Sequence, residues 1–269
     1  MEKLTRILGV VECPEDGAVV LEKAVVLARR FRARVELMIT DSTLMRPLAD
    51  LCTLMAYAEV TLSSVHRAGE PMRETILRHV FNAGPDLLIK MADGAHPPWQ
   101  LANECPVPLL LVKHRKWTKP VRFAAAVEAD DADALCLSRG ILHTAGFLAL
   151  GCRGTLDILY SEREPHDEAL RRERAAEVAQ LVREFHVGSE RVQMYDGAPE
   201  KTLPPLAAAR QYDVLVLGAD QNRGALASRM IEASDSDIVL VRAVSRATHA
   251  ADGEFSARQQ RLDQAEQVV

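Results

Sequence analysis

Short unbroken runs of Val, Ile and Leu alternate along this chain with longer segments in which apolar residues return every three or four positions. Unbroken apolar runs suit parallel strands covered on both faces better than half-exposed antiparallel ones. They predict strands near 5–11, 34–40, 59–66, 86–91 and 108–113, and again near 121–127, 155–161, 190–195, 213–218 and 237–242. The segments between them are of helix length. Leu21, Ala24, Leu27, Ala28 and Phe31 fall on one face, with Arg29, Arg30 and Arg32 flanking it. Leu170, Val178, Leu181, Val182 and Phe185 do the same, with Pro165 early and Gly188 just past the end. Strand alternating with helix implies right-handed crossovers and a parallel sheet. The fold class is therefore α/β, with five strands and about four helices in each half of the chain.

The halves repeat one another. Arg6 to Glu12 returns as Arg122 to Glu128, Arg34 to Thr40 as Thr155 to Ser161, Gly69-Glu70-Pro71 as Gly197-Ala198-Pro199, and Asp86 to Lys90 as Asp213 to Leu217. Val107 to Val112 returns as Asp237 to Val241. A repeat this long is a duplicated domain and not a solenoid unit. It divides the chain into residues 1–117, residues 119–243 and a polar, Gln-rich tail, 244–269, and predicts two tandem five-stranded parallel sheets, each flanked by helices. The copies differ in two connections. Between the second and third strands the second copy has a long helix, Glu164–Val187, where the first has Leu44–Ala58. Between the fourth and fifth strands the first copy has a short stretch broken by Gly94, Pro97 and Pro98, too short and proline-rich to present a helix N-terminus.

Charge separates the halves further. Residues 1–118 carry 15 Lys and Arg against 14 Asp and Glu, whereas the remainder carries 18 against 24. Neither half has the basic excess that a nucleic-acid partner demands. No run reaches 18 uncharged apolar residues and the chain opens directly on a strand, so no membrane span or leader is expected, and cytoplasmic residence is the default. The five cysteines show neither disulfide nor zinc spacing and are expected to be idle thiols. No His-x3-His or Cys-x2-Cys pair suggests a metal. His79 and His143 fall within helices, and Asp130, Asp131 and Asp133 suit a helix start.

The order of elements, the duplicated Gly-x-Pro, Asp86-Leu87-Leu88-Ile89-Lys90-Met91-Ala92 and the strand Leu111-Val112-Lys113-His114-Arg115-Lys116-Trp117 resemble the universal stress protein family in its tandem two-domain form. The resemblance covers about residues 4–243. It implies a five-stranded parallel sheet and four helices per domain, with domains often pairing through their last strands, here Leu109–Lys113 and Ile238–Arg242. It also implies ATP in the crevice at the carboxyl ends of the strands for many members. There an acidic residue follows the first strand, and Gly-x-x-Gly, followed some nine residues later by Gly-Ser or Gly-Thr, cradles the phosphates.

Both copies depart from that motif. Glu12 and Glu128 fill the acidic position. In the second copy Gly218 and Gly224 remain, Gln221 stands at the second glycine, Asp220 lies inside the cradle, and counting onward reaches Ile231 and Glu232, with Ser228 the nearest hydroxyl. In the first copy Met91-Ala92-Asp93-Gly94 runs into prolines and no cradle can be drawn. Gly218 and Gly224 also suit a turn leaving the fourth strand. The expectation is a non-enzymatic stress-response protein, acting through unidentified protein partners, with no cofactor beyond weak ATP. Any ligand would lie near Val127, Glu128, Gly218, Gly224 and Ser228. A small-molecule or weak ATP binder and a low-turnover ATPase are the alternatives.

Overall fold

The computed structural model describes residues 1, 3–40, 42–54, 59–64, 71–92, 98–128, 132–162, 168–185, 191–219 and 224–242. The first half runs β1 (Arg6–Val11), α1 (Pro14–Phe31), β2 (Arg34–Ile39), a 3-10 turn (Ser42–Leu44), α2 (Met45–Leu54), β3 (Val60–Ser64), α3 (Met72–Ala83), β4 (Leu87–Met91), α4 (Pro98–Glu104) and β5 (Leu109–Val112). The second runs β6 (Arg122–Val127), α5 (Ala132–Cys152), β7 (Thr155–Glu162), α6 (Glu168–Glu184), β8 (Val192–Asp196), α7 (Pro199–Arg210), β9 (Val214–Ala219), α8 (Gly224–Ala233) and β10 (Asp237–Arg242).

Strands pair in parallel within each half, and the two five-stranded sets join through their last strands, as expected of Leu109–Lys113 and Ile238–Arg242. One ten-stranded sheet runs β3-β2-β1-β4-β5-β10-β9-β6-β7-β8. Its centre is the antiparallel pair β5–β10, with Leu110 opposite Val239. The physical reason lies in β5, four apolar residues buried throughout, which as a free edge would be an association hazard. Helices α1, α2, α5 and α6 cover one face, through residues such as Leu21, Leu48, Leu142 and Val178. Helices α3, α4, α7 and α8 cover the other, through Ile76, Leu101, Leu203 and Met230.

The connection before β5 corrects the sequence reading. It does hold a helix, and Pro98 opens it. Proline is tolerated at a first helical position because the N–H it lacks has no partner there anyway. Gly94 and Pro97, like Pro165, Gly188, Asp130, Asp131 and the tail, fall outside the described residues. Helix α5 alone among the described helices is long and apolar enough to cross a membrane, though Asp133 and Arg139 interrupt its apolar run. About half of it is buried in the protein, where Leu137, Ile141, Ala145 and Leu148 pack into the core.

The same carboxylate staple opens both halves. Asp86 accepts hydrogen bonds from the Thr5 amide at 2.7 Å, the Thr5 hydroxyl at 2.7 Å and the Arg6 amide at 3.0 Å. Asp213 accepts from the Thr118 amide at 3.0 Å, the Thr118 hydroxyl at 2.5 Å and the Arg122 amide at 2.8 Å. Each ties the start of a half's first strand to the start of its fourth. Partial burial works against ionisation of Asp86, but the donors from Thr5 and Arg6 outweigh it and hold the carboxyl below its usual 3.8. A depressed carboxyl contributes stability above its unfolded pKa and loses it as pH falls through the folded one. Asp86→Asn should therefore flatten part of the acid limb of a stability-against-pH curve below about pH 4. Urea unfolding at several pH values reads this, and an acid limb identical in the variant would refute it.

The seam between the halves carries charge under cover. Lys23 of α1 lies 2.9 Å from Asp237 of β10, with side chains 4% and 1% exposed. Asp237 also accepts from the Trp117 indole at 2.6 Å and the Lys113 amide at 2.7 Å. Two cations cross over to the opposite half's last helix. Lys113 donates to the carbonyls of Ile231 and Ser234 at the end of α8, and Arg242 donates to the Asn103 carbonyl of α4 at 3.2 Å. Cations suit helix C-termini, where carbonyls are left unpaired. On the other face Phe31 of α1 stacks on Phe147 of α5 with centroids 4.9 Å apart. Gly151 makes room for it, since a Cβ there would lie 2.0 Å from the Phe31 ring.

Candidate functional site

In each half the first strand is flanked by the second strand on one side and the fourth on the other, so a crevice opens at the carboxyl ends of the strands. In the second half it is lined by Val127 and Glu128 at the end of β6, Leu137 and Ile141 of α5, Leu203 of α7, and Leu217 and Gly218 of β9, among others. The cleft measures about 390 Å3 out to its open mouth, but only about 20 Å3 of it admits the centre of a water-sized sphere. That seats about one water, so the described walls alone leave little depth.

Among these lining residues Glu128 is the only ionisable side chain. The two hydroxyls are engaged with backbone. Ser138 accepts from the Glu128 amide at 2.9 Å and donates to the Glu128 carbonyl at 2.8 Å, and Ser161 donates to the Gly197 carbonyl at 2.6 Å. Neither is positioned against a base as an activated nucleophile would be.

The structure places Val127, Glu128 and Gly218 together on this cleft. Gly218, however, is no turn glycine. It lies inside β9, where a Cβ would come within 2.4 Å of Leu137 Cδ2, so its role is to let α5 close on the strand. Gly224 is the first residue of α8, and Ser228 lies one turn further along that helix, outside the cleft's lining. Asp220 and Gln221 fall outside the described residues. The helix walls went unanticipated. Leu137, Ile141 and Leu203 carry only the ordinary helical spacing of core residues, and that spacing was their one sequence signal.

The first half has the same skeleton with a different filling. Lys90, four residues after the stapling Asp86, stands where the second half has Leu217, and Met91 stands for Gly218. Lys90 Nζ donates to Glu12 Oε2, with side chains 3% and 16% exposed. The acidic position is thereby engaged from within, by an ammonium the protein supplies itself.

Other chemistry is quiet. Burial pushes the thiols of Cys105 and Cys152 up to about 11, and burial with the neighbouring Asp16 raises that of Cys13, so these thiols stay protonated and unreactive. No group of three or more His, Cys, Asp or Glu side chains among the described residues could hold a metal. His79 lies 2.8 Å from Glu36, and His143 tilts against Phe185.

No family model matches the chain. It is 22% identical over 138 residues to Universal stress protein E homolog of Haemophilus influenzae, covering 45% of each chain. It is 24% identical over 172 residues to Universal stress protein E of Escherichia coli K12, covering 54% of each. The matched region thus spans about half the length of these curated relatives. Among solved structures, a functionally unknown protein, PA1789 of Pseudomonas aeruginosa PAO1, superposes with a TM-score of 0.76 at 20% identity, covering 96% of this chain and 98% of that one. A universal stress protein from Archaeoglobus fulgidus superposes with a TM-score of 0.60 at 10% identity, covering 90% and 97%. By sequence the chain is similar, over about half its length, to Universal stress protein E, and it shares its fold over nearly all of its length with these solved structures.

Proposed function

We propose that the protein is a non-enzymatic, cytoplasmic stress-response protein that acts through protein partners, with its first crevice closed and its second reduced to a weak small-molecule site. The contrast between Lys90 and Leu217 carries this reading. A buried lysine paired with Glu12 occupies one crevice, while the matching position beside Glu128 is apolar and leaves a cleft. The relatives' names support a role in stress, and the engaged hydroxyls and unreactive thiols favour binding over catalysis. For a triphosphate, the second cleft's described lining offers no cation, and in the sequence motif Asp220 takes a position of the phosphate cradle. Like charges 4 Å apart repel by about 1 kcal/mol even in water.

Thermal unfolding of the whole chain with ATP, AMP and Mg2+ tests the reading. A ligand at its own Kd stabilises by about 0.4 kcal/mol, which moves the midpoint of a chain this size by roughly 1 °C. We expect shifts no larger than that with about 1 mM ATP, lost in Leu217→Lys, which transplants the first half's filling. A shift several times larger, unaffected by Leu217→Lys, or phosphate release above background, would overturn it.

A further inference from the structure

The halves also differ at the opposite end of the sheet. In the second half, helix α7 ends at Gln211 in the left-handed conformation and Tyr212 follows it into the core. The phenol donates to Asp157 Oδ2 at 2.9 Å, the Arg122 guanidinium lies 5.5 Å from the ring centre, and Arg191 holds Asp157 from 3.1 Å. Burial and the Asp157 carboxylate push the Tyr212 pKa upward, so the phenol remains a neutral donor. The first half repeats the backbone. Helix α3 ends at Gly84, also left-handed, Arg6 stands for Arg122 and Glu36 for Asp157. Pro85 replaces the tyrosine, and its short ring cannot reach across. What remains is an open groove of about 660 Å3 lined by Arg6, Leu8, Glu36, Thr61 and Pro85 among others.

Glu36 is held in place there. Its Oε1 accepts from the Ser63 hydroxyl at 2.8 Å and lies 2.8 Å from His79 Nε2, while Oε2 has no partner among the described residues. The Arg6 guanidinium makes no ion pair among them either.

We propose that this groove is a binding site for a small neutral phenol, whose hydroxyl donates to Glu36 and whose ring lies against Pro85 and Leu8 beneath Arg6. The second half shows within the same chain that an arginine and a carboxylate on these two strands accommodate such a group. A hydrogen bond to a charged acceptor, together with a cation over the ring, distinguishes a phenol from a plain hydrocarbon ring.

The probe is p-cresol, titrated into the full chain and followed by amide chemical shifts, with toluene as the comparison. We expect saturable binding of p-cresol, about tenfold weaker binding of toluene, and a loss of about tenfold in Glu36→Gln. Pro85→Tyr fills the groove with the chain's own phenol and should abolish binding, with circular dichroism confirming an intact fold. If that variant does not fold, Glu36→Gln decides. Absence of saturation, equal affinity for toluene, or undiminished binding in Glu36→Gln would each overturn the proposal.

Discussion

Replacing Asp237 with alanine is expected to lower the unfolding free energy by about 3–5 kcal/mol, the loss that follows removal of one partner from a buried ion pair. Among the described residues, Lys23 would keep its ammonium in a site 4% exposed, with only the Arg115 carbonyl at 2.6 Å and the Trp117 ring at 4.6 Å to receive it. The Trp117 indole and the Lys113 amide would lose their acceptor as well. The defect also lies where the halves join, so the urea curve should show a lower midpoint or split into two transitions as the halves come apart. The pair Lys23→Met with Asp237→Asn removes the cation and keeps an acceptor, and should fall well short of the single alanine's loss. A midpoint change worth less than 1 kcal/mol in Asp237→Ala would show that the pair does not hold the seam.

Asp213→Ala should be the second most damaging change, at about 3 kcal/mol. It leaves the amides of Thr118 and Arg122 without their acceptor beneath a residue only 1% exposed. The same change at Asp86 removes the partner of the three corresponding donors, on Thr5 and Arg6, in a more open setting, where water replaces much of the loss, so about 1 kcal/mol is expected. The duplication makes the comparison unusually clean, since fold, residue type and donors match while burial differs. Equal losses in the two variants, measured by urea unfolding, would show that exposure is not what sets the difference.

Strand positions were legible because fully covered parallel strands demand unbroken Val, Ile and Leu, and β4, β5, β9 and β10 meet that demand openly. What escaped depends on how close two elements come. Gly218 looks like a turn residue until α5 is seen to press Leu137 onto it. Pro98 looks like a breaker until the helix it opens is seen. Lys90 was the more informative residue, a lysine at the end of an otherwise apolar run, yet only the fold shows Glu12 facing it. Register alone could not reveal that pairing.

The antiparallel join of β5 to β10 has a consequence for how the two crevices change over time. Two identical chains meeting through the same edge would receive every inherited substitution twice, once in each crevice. A lysine that sealed one would seal both. Joined in tandem, the halves keep that paired geometry while each codon answers for one crevice alone. The chain can therefore carry a lysine at position 90 and a leucine at its counterpart, 217, each with a separate history.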